Sequence, residues 1–372
     1  MSVKCQTIID AVHELAPLHL AESWDNVGLL VGCADQAINK ILVALDVTPE
    51  LALRATNEGV DMIIAHHPLI FEPLTSIRTD QPLGRTLASL IKADIALLAV
   101  HTNLDAAAKG VNDVLADRLG LRGKRPLVVS QQEKLLKLVV FVPASHSEEV
   151  RAAITGAGAG HIGNYSDCTF QTTGTGTFLP LPGTSPFTGQ QGKLEYAPEI
   201  RLETILPATL SRKVVGAMLQ AHPYEEVAYD LYPLENQSPA TGLGRLGELA
   251  ETMTFGEFAA KVKIALQADH VRAVGDSRRL VKIVAVCGGA GASVISQAAA
   301  AGADVLVTGD VKYHEAQAAQ QMGLAVIDAG HFATERPAVD GIASYLKDCA
   351  ARGDWSVTIN TDILSKDVFQ VY

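Results

Sequence analysis

Short apolar runs alternate with polar, helix-patterned stretches at both ends of the chain. Residues 40–47 read as a strand, and residues 49–58 as a helix opening on Pro49, whose fixed φ suits a first helical turn. Gly59 follows as a helix stop. Residues 61–65 form another strand, 83–93 a helix, 95–100 a strand and 111–119 a helix. This alternation predicts crossover units around a mainly parallel sheet, whose strands are apolar throughout because both faces are covered.

The rhythm changes at Lys137. Residues 138–142 read as a strand, 148–156 as a helix and 174–183 as a glycine-rich stretch. A strand over 199–206, a helix over 211–221 and a strand over 227–234 follow. That β-α-β, β-α-β order predicts a ferredoxin-like α+β module. Residues 236–244, rich in Asn, Ser, Pro and Gly, read as the linker out of it. The first rhythm then returns, with helices over 255–266, 293–301, 313–322 and 336–350 and strands over 281–286, 305–307 and 324–327. The expected fold class is α/β: a two-lobed core with mainly parallel sheets, its halves at 1–130 and 240–372, interrupted by an α+β insert at 137–236.

Composition narrows this picture. A chain of 372 residues is too long for one simple core. Apolar residues at 48%, aromatics at 5% and 31 glycines fit an Ala- and Val-rich α/β enzyme better than a β-sandwich. The net charge of −11 argues against a surface that binds nucleic acid throughout, though a local basic channel is compatible with it. Cys5, Cys33, Cys168, Cys287 and Cys349 are scattered and form no CxxC, as in a protein of the reducing cytosol. The start lacks a signal-peptide core, and no stretch approaches the roughly 20 apolar residues of a membrane span. A soluble, cytoplasmic protein is expected.

The candidate chemistry sits where apolar runs end, which is where α/β sheets place their ligands. His66 and His67 close the run 61–65, and Pro68 helps by blocking regular continuation. Adjacent strand residues point to opposite faces, so both imidazoles reach one site only if the strand stops there. Two solvated loop histidines are an equal alternative. Asp105 follows the run 95–100 and can bridge two cations or cap a helix. His101 and Asn103 beside it can orient ligands, or His101 can be an ordinary strand-end histidine. His331 and Glu335, four apart, share one helix face just beyond the run 324–327. Three imidazoles and two carboxylates suit zinc, manganese, iron or nickel. Cys287-Gly288-Gly289-Ala290-Gly291 could present N–H groups to a phosphate, but without a P-loop Lys it reads better as a tight turn. His314, after the run 305–307, is expected as a pocket residue.

Ser23-Trp24-Asp25-Asn26-Val27-Gly28, His66-His67-Pro68, His101-Thr102-Asn103-Leu104-Asp105, Thr308-Gly309-Asp310 and Gly330-His331-Phe332-Ala333-Thr334-Glu335 together resemble the dinuclear-metal family of GTP cyclohydrolase 1 type 2 homologues. Gly174-Thr175-Gly176-Thr177-Phe178 and His222-Pro223-Tyr224-Glu225-Glu226 resemble the CutA/PII-like module of its longer members. The resemblance implies two divalent ions on His66, His67, Asp105, His331 and Glu335, and a toroidal homohexamer built as a trimer of dimers. A metal-dependent hydrolase acting on a nucleotide or related phosphorylated molecule is the expected activity, with His314 or His101 moving protons on that hypothesis. The competing expectation is a non-enzymatic metal-binding adaptor or regulator, able to encircle nucleic acid if Lys and Arg line the ring. Residues 363–372 follow no pattern of the family.

Overall fold

The computed structural model describes residues 2–236 and 240–371, and its chain divides into two compact units. One joins Met1–Gln131 to Thr241–Tyr372; the other is Gln132–Ala240.

The first unit is built on two larger sheets. In the first sheet the strands run in the order Thr358–Thr361, Lys40–Ala44, Met62–Ala65, Ala96–Ala99 and Gly28–Val31. The first four are parallel neighbours, and Gly28–Val31 closes the edge antiparallel. Alternate residues serve two cores. Ile41, Val43, Met62, Ile64, Ala96 and Leu98 face the helices Cys5–Leu15 and His331–Arg352. Leu42, Ala44, Ile63, Ala65 and Leu97 face Pro49–Asn57 and the layer holding Leu90. Both faces are dry, which is why these strands lack polar alternation. Pro49 starts its helix as expected, and the Thr48 hydroxyl caps it by accepting from the Leu51 N–H.

The second sheet runs Arg272–Val274, Ala325–Asp328, Val305–Thr308, Leu280–Val286, Ala240–Thr254 and Arg122–Gln132. Its three strands Ala325–Asp328, Val305–Thr308 and Leu280–Val286 are parallel neighbours; Arg272–Val274 and Ala240–Thr254 pair antiparallel to their neighbours Ala325–Asp328 and Leu280–Val286. The expectation of mainly parallel sheets therefore holds for the first sheet and for the middle of the second. The two ends of the chain interlock, because Thr358–Thr361 completes the first sheet and Arg122–Gln132 joins the second. The expected linker is shorter than the reading allowed. Its residues 237–239 lie outside the described residues, and from Ala240 the chain is already strand. Gly242 and Gly244 there are packed strand glycines: a Cβ on Gly242 would meet the Val128 carbonyl at 1.9 Å.

The second unit has the order β-α-β-β-α-β, with strands Leu135–Pro143, Thr169–Phe178, Glu195–Pro207 and Tyr229–Pro233. Its four strands are antiparallel neighbours. Helices Ser147–Gly156 and Ser211–Ala221 cover one face, packing Val150, Ile154, Val214 and Met218 on Leu138, Val140, Val142, Leu202 and Leu206. The first half of the glycine-rich stretch, 174–178, ends the strand Thr169–Phe178, and the rest follows it. No helix among the described residues is long and apolar enough to cross a membrane.

Candidate metal centre

The carboxyl ends of adjacent parallel strands bring the candidate ligands together within the first unit. Met62–Ala65 stops at Ala65, so His66 and His67 leave the strand in sequence and their rings lie 5.0 Å apart. Ala96–Ala99 leads to His101, whose ring is 5.3 Å from that of His66 and 5.6 Å from that of His67. The short helix Thr102–Ala106 carries Asp105, with Oδ1 3.6 Å from His66 Nε2. The first turn of His331–Arg352 delivers His331 and Glu335 one above the other. Glu335 Oε2 lies 3.0 Å from His67 Nε2 and 3.1 Å from His331 Nε2, and Oε1 lies 3.8 Å from His66 Nε2. Among the described residues, the donor atoms of His66, His67 and His101, and those of His67, His331 and Glu335, each fall within 4.8 Å of one another.

All four imidazoles are held by their outer nitrogen. Nδ1 of His66 meets the Val100 carbonyl at 2.8 Å, and Nδ1 of His67 meets Asp46 at 2.7 Å. Nδ1 of His101 meets Asp25 at 2.9 Å, and Nδ1 of His331 meets Asp310 at 2.7 Å. Every partner is an acceptor, so Nδ1 carries a proton in each ring, and the lone pair that a ring can offer a metal is on Nε2 once its second proton is lost. Such outer partners fix the tautomer and raise ligand basicity at metal sites. Asp25 is itself pinned by the Thr102 N–H at 3.0 Å and by its hydroxyl.

Close packing forces the charges to share protons. Burial disfavours the His66 and His67 cations, yet neighbouring carboxylates outweigh it: His66 rises on Asp105 and Glu335, and His67 reaches about 10 on Asp46 and Glu335. The Glu335 hydrogen bond pushes His331 up to about 9. Burial lifts the Asp105 carboxyl to about 7, with the His66 charge opposing. Glu335, although buried, is held well below the carboxylate range by His331, His66 and His67. His101 goes the other way, burial lowering it despite Asp25. Burial, then the Asp105 and Glu335 charges, raises the Cys287 thiol and keeps it protonated.

The residues fit a metal. His66 Nε2 and Asp105 Oδ1 are shielded from solvent with no hydrogen-bond partner among the described residues, and the equally shielded Glu335 Oε2 meets only the ring nitrogens of His67 and His331. Leaving such atoms unpaired is costly unless something else binds them, and nitrogen with carboxylate oxygen is the donor set of borderline divalent ions. Gly289 makes room for the carboxylate: its φ is +63°, and a Cβ there would sit 2.1 Å from Glu335 Oε1. In the loop, three glycine amides are committed: Gly288 donates to Asn112, Gly289 to Thr334 and Gly291 to Thr308.

The structure thus brings His66, His67, Asp105, His331 and Glu335 together and adds His101 to them. Asp105 is not a helix N-cap, a position that His101 takes. His314 stays apart: it is exposed on the helix Tyr313–Gln321, and its Nδ1 pairs with Gln317. The spacing after an apolar run misled because that helix turns its first residues outward. Asp46 and the orienting roles of Asp25 and Asp310 were missed. Asp46 carries the same signal as the histidines, a polar residue just past the strand Lys40–Ala44. Asp25 lies outside any apolar run and had no such signal.

A family model described as Duf34/NIF3 (NGG1p interacting factor 3) matches residues 3–365. A Halalkalibacterium halodurans protein named GTP cyclohydrolase 1 type 2 homolog is 49% identical over 326 residues, covering 88% of each chain. The Bacillus subtilis protein of the same name is 47% identical over 332 residues, covering 89% of each. Among solved structures, a Bacillus cereus protein related to NIF3 superposes with a TM-score of 0.90 at 46% identity over 100% of both chains. A Staphylococcus aureus protein follows with a TM-score of 0.80 at 31% identity, covering 100% of this chain and 99% of its own.

Proposed function

The chain belongs to the Duf34/NIF3 family, and from that premise we propose that it is a dinuclear metal-binding protein acting as a metal-dependent hydrolase on a nucleotide or related phosphorylated small molecule. The observation that carries this reading is the convergence of shielded ligand atoms of His66, Asp105 and Glu335, the first two without a hydrogen-bond partner among the described residues, among imidazoles already oriented by outer acceptors. His66, His67, Asp105, His331 and Glu335 would hold two divalent ions of zinc, manganese, iron or nickel. Ions held there would polarise a phosphoryl or carbonyl oxygen and lower the pKa of water.

The protein's own groups supply the rest. His101 is kept neutral by burial and oriented by Asp25, so its Nε2 is available to accept a proton. A cavity of 690 Å³ opens beside His67, with Arg54, Ser365, Lys366 and Leu364 in its wall. Arg54 is tied to the buried Asp362, whereas Lys366 forms no ion pair among the described residues and is placed to meet a phosphate. His314 is left out of the proposal because it points to solvent.

The relatives' printed name suggests a GTP-like substrate, and nothing in the cavity selects a purine. We read the core as two lobes over 1–130 and 240–372, with a CutA/PII-like insert over 137–236 supported by its β-α-β-β-α-β order. The toroidal homohexamer belongs to the same proposal and is tested by light scattering.

The deciding experiment screens metal-loaded wild type, Asp105→Ala and Glu335→Ala against GTP, other nucleotides and phosphoesters. Turnover in the wild type alone is expected. Equal turnover in all three removes the reaction from this site, and bound metal without turnover favours the adaptor reading instead.

A further inference from the structure

The second unit holds a cavity of 540 Å³ on the sheet face that its helices leave open. It lies within the 300–1,000 Å³ range typical of small-molecule sites. Residues 179–188, the excursion between the strands Thr169–Phe178 and Glu195–Pro207, form one wall. Phe141, Phe178, Phe187 and Tyr224 supply aromatic rings.

Two features make this more than an apolar dent. Glu199, only 9% exposed, lies in its lining. One carboxylate oxygen accepts from the Tyr224 hydroxyl at 3.0 Å. The other takes no hydrogen bond among the described residues and faces Gly176, where a Cβ would approach to 2.2 Å. A glycine on the adjacent strand therefore leaves the space this oxygen occupies. The second feature is ring geometry. Phe178 and Phe187 lie 6.4 and 6.0 Å from Tyr224, tilted by 54° and 45°. Rings tilted in this way box a compact group instead of forming a parallel slot for a stacked base.

We propose that this cavity binds a small organic cation, a primary ammonium group carrying an apolar or aromatic substituent. The ammonium would donate to the free oxygen of Glu199 and face the ring faces, which attract cations. The substituent would fill the apolar wall made by Leu179, Leu181 and Phe187. Glu225 and Glu226 in the lining add negative charge, so a phosphorylated or carboxylate ligand is disfavoured. The site is therefore chemically distinct from the metal centre, and its ligand is distinct from the phosphorylated substrate proposed there.

Isothermal titration of the full chain tests this with three probes of like shape: tryptamine, its neutral alcohol analogue tryptophol, and indole-3-propionate. Saturable tryptamine binding is expected, with tryptophol weaker by about tenfold or more and indole-3-propionate not binding. Glu199→Gln should erase the preference for the amine while leaving tryptophol affinity unchanged. Phe187→Ala, a change at a half-exposed ring that the fold tolerates, should weaken all binding. Tyr224→Phe keeps the ring, frees a second carboxylate oxygen and should retain tryptamine. Equal affinity for tryptamine and tryptophol, or saturation by none of the three probes at millimolar concentration, overturns the proposal.

Discussion

At the residue scale, the proposed metal centre would depend on side chains that do not themselves offer ligand atoms to an ion. Asp46 and Asp310 hold His67 and His331 by Nδ1 from half-exposed positions, so the fold does not rest on them. Asp46→Ala and Asp310→Ala should each fold normally and lose about 10–100-fold in metal affinity, read by competition with a chelator. Unchanged affinity would show that the rings need no outer partner.

The same contacts set a pH dependence. Without metal, His67 and His331 have folded-state values of about 10 and about 9, raised above the ordinary imidazole value of about 6.5. Their contribution to stability is fully present below pH ~6.5 and is lost as pH climbs through about 9 and then about 10. Metal-free protein should therefore lose thermal stability across that alkaline window. Metal-loaded protein should lose much less, because ions replace the protons. Melting curves from pH 7 to 10, with and without a chelator, check this. Parallel curves would contradict it.

At the element scale, strand ends carried most of what the sequence made legible. Uniformly apolar runs could be read as doubly covered strands, and each delivered its polar residue to the site: His66 and His67 after 62–65, His101 after 96–99. The face shared by His331 and Glu335 was equally readable from their spacing. Contacts between remote elements were not readable. Nothing local in Asp25 or Gly289 says that one will anchor an imidazole and the other make way for a carboxylate. Nor did the sequence reveal that Arg245, in a long strand, is buried against the helix Val111–Arg118. It donates to Asp113 at 2.7 Å and to the carbonyls of Gly242, Gly244 and Ala107. Arg245→Ala removes a donor from three carbonyls and from a mostly buried carboxylate that keeps only the Lys109 N–H and Lys124, and should cost about 2–4 kcal/mol. Chemical denaturation measures this, and a loss under 1 kcal/mol would contradict it. Burial opposes ionisation of Asp113, but Arg245 holds its pKa below the ordinary value. The pair's stabilisation should thus persist above pH ~3.9 and fade as acid titrates the folded carboxylate below that.

At the scale of the whole molecule, the two ends of the chain meet in one compact unit and the middle forms another. The sequence changes its rhythm at Lys137, inside the second unit. The exchange of edge strands between the sheets has no local signature, and neither does the cavity around Glu199. The family match ends at residue 365, and the segment around that point gains a context: Leu364, Ser365, Lys366 and Val368 line the cavity beside His67. Lys366→Ala should raise KM for a phosphorylated substrate several-fold and leave kcat near the wild-type value, since a cation remote from the reacting atoms contributes uniform binding. A fall in kcat at constant KM would place Lys366 elsewhere in the mechanism.

Occupation of one cluster of donors by cations is the premise of the proposed function. Elemental analysis of protein loaded with zinc or manganese and then desalted is the most direct measurement of it. About two ions per chain are expected in the wild type, with a marked loss in both Asp105→Ala and Glu335→Ala. Wild-type protein that emerges free of metal, or variants that retain the full complement, would contradict it.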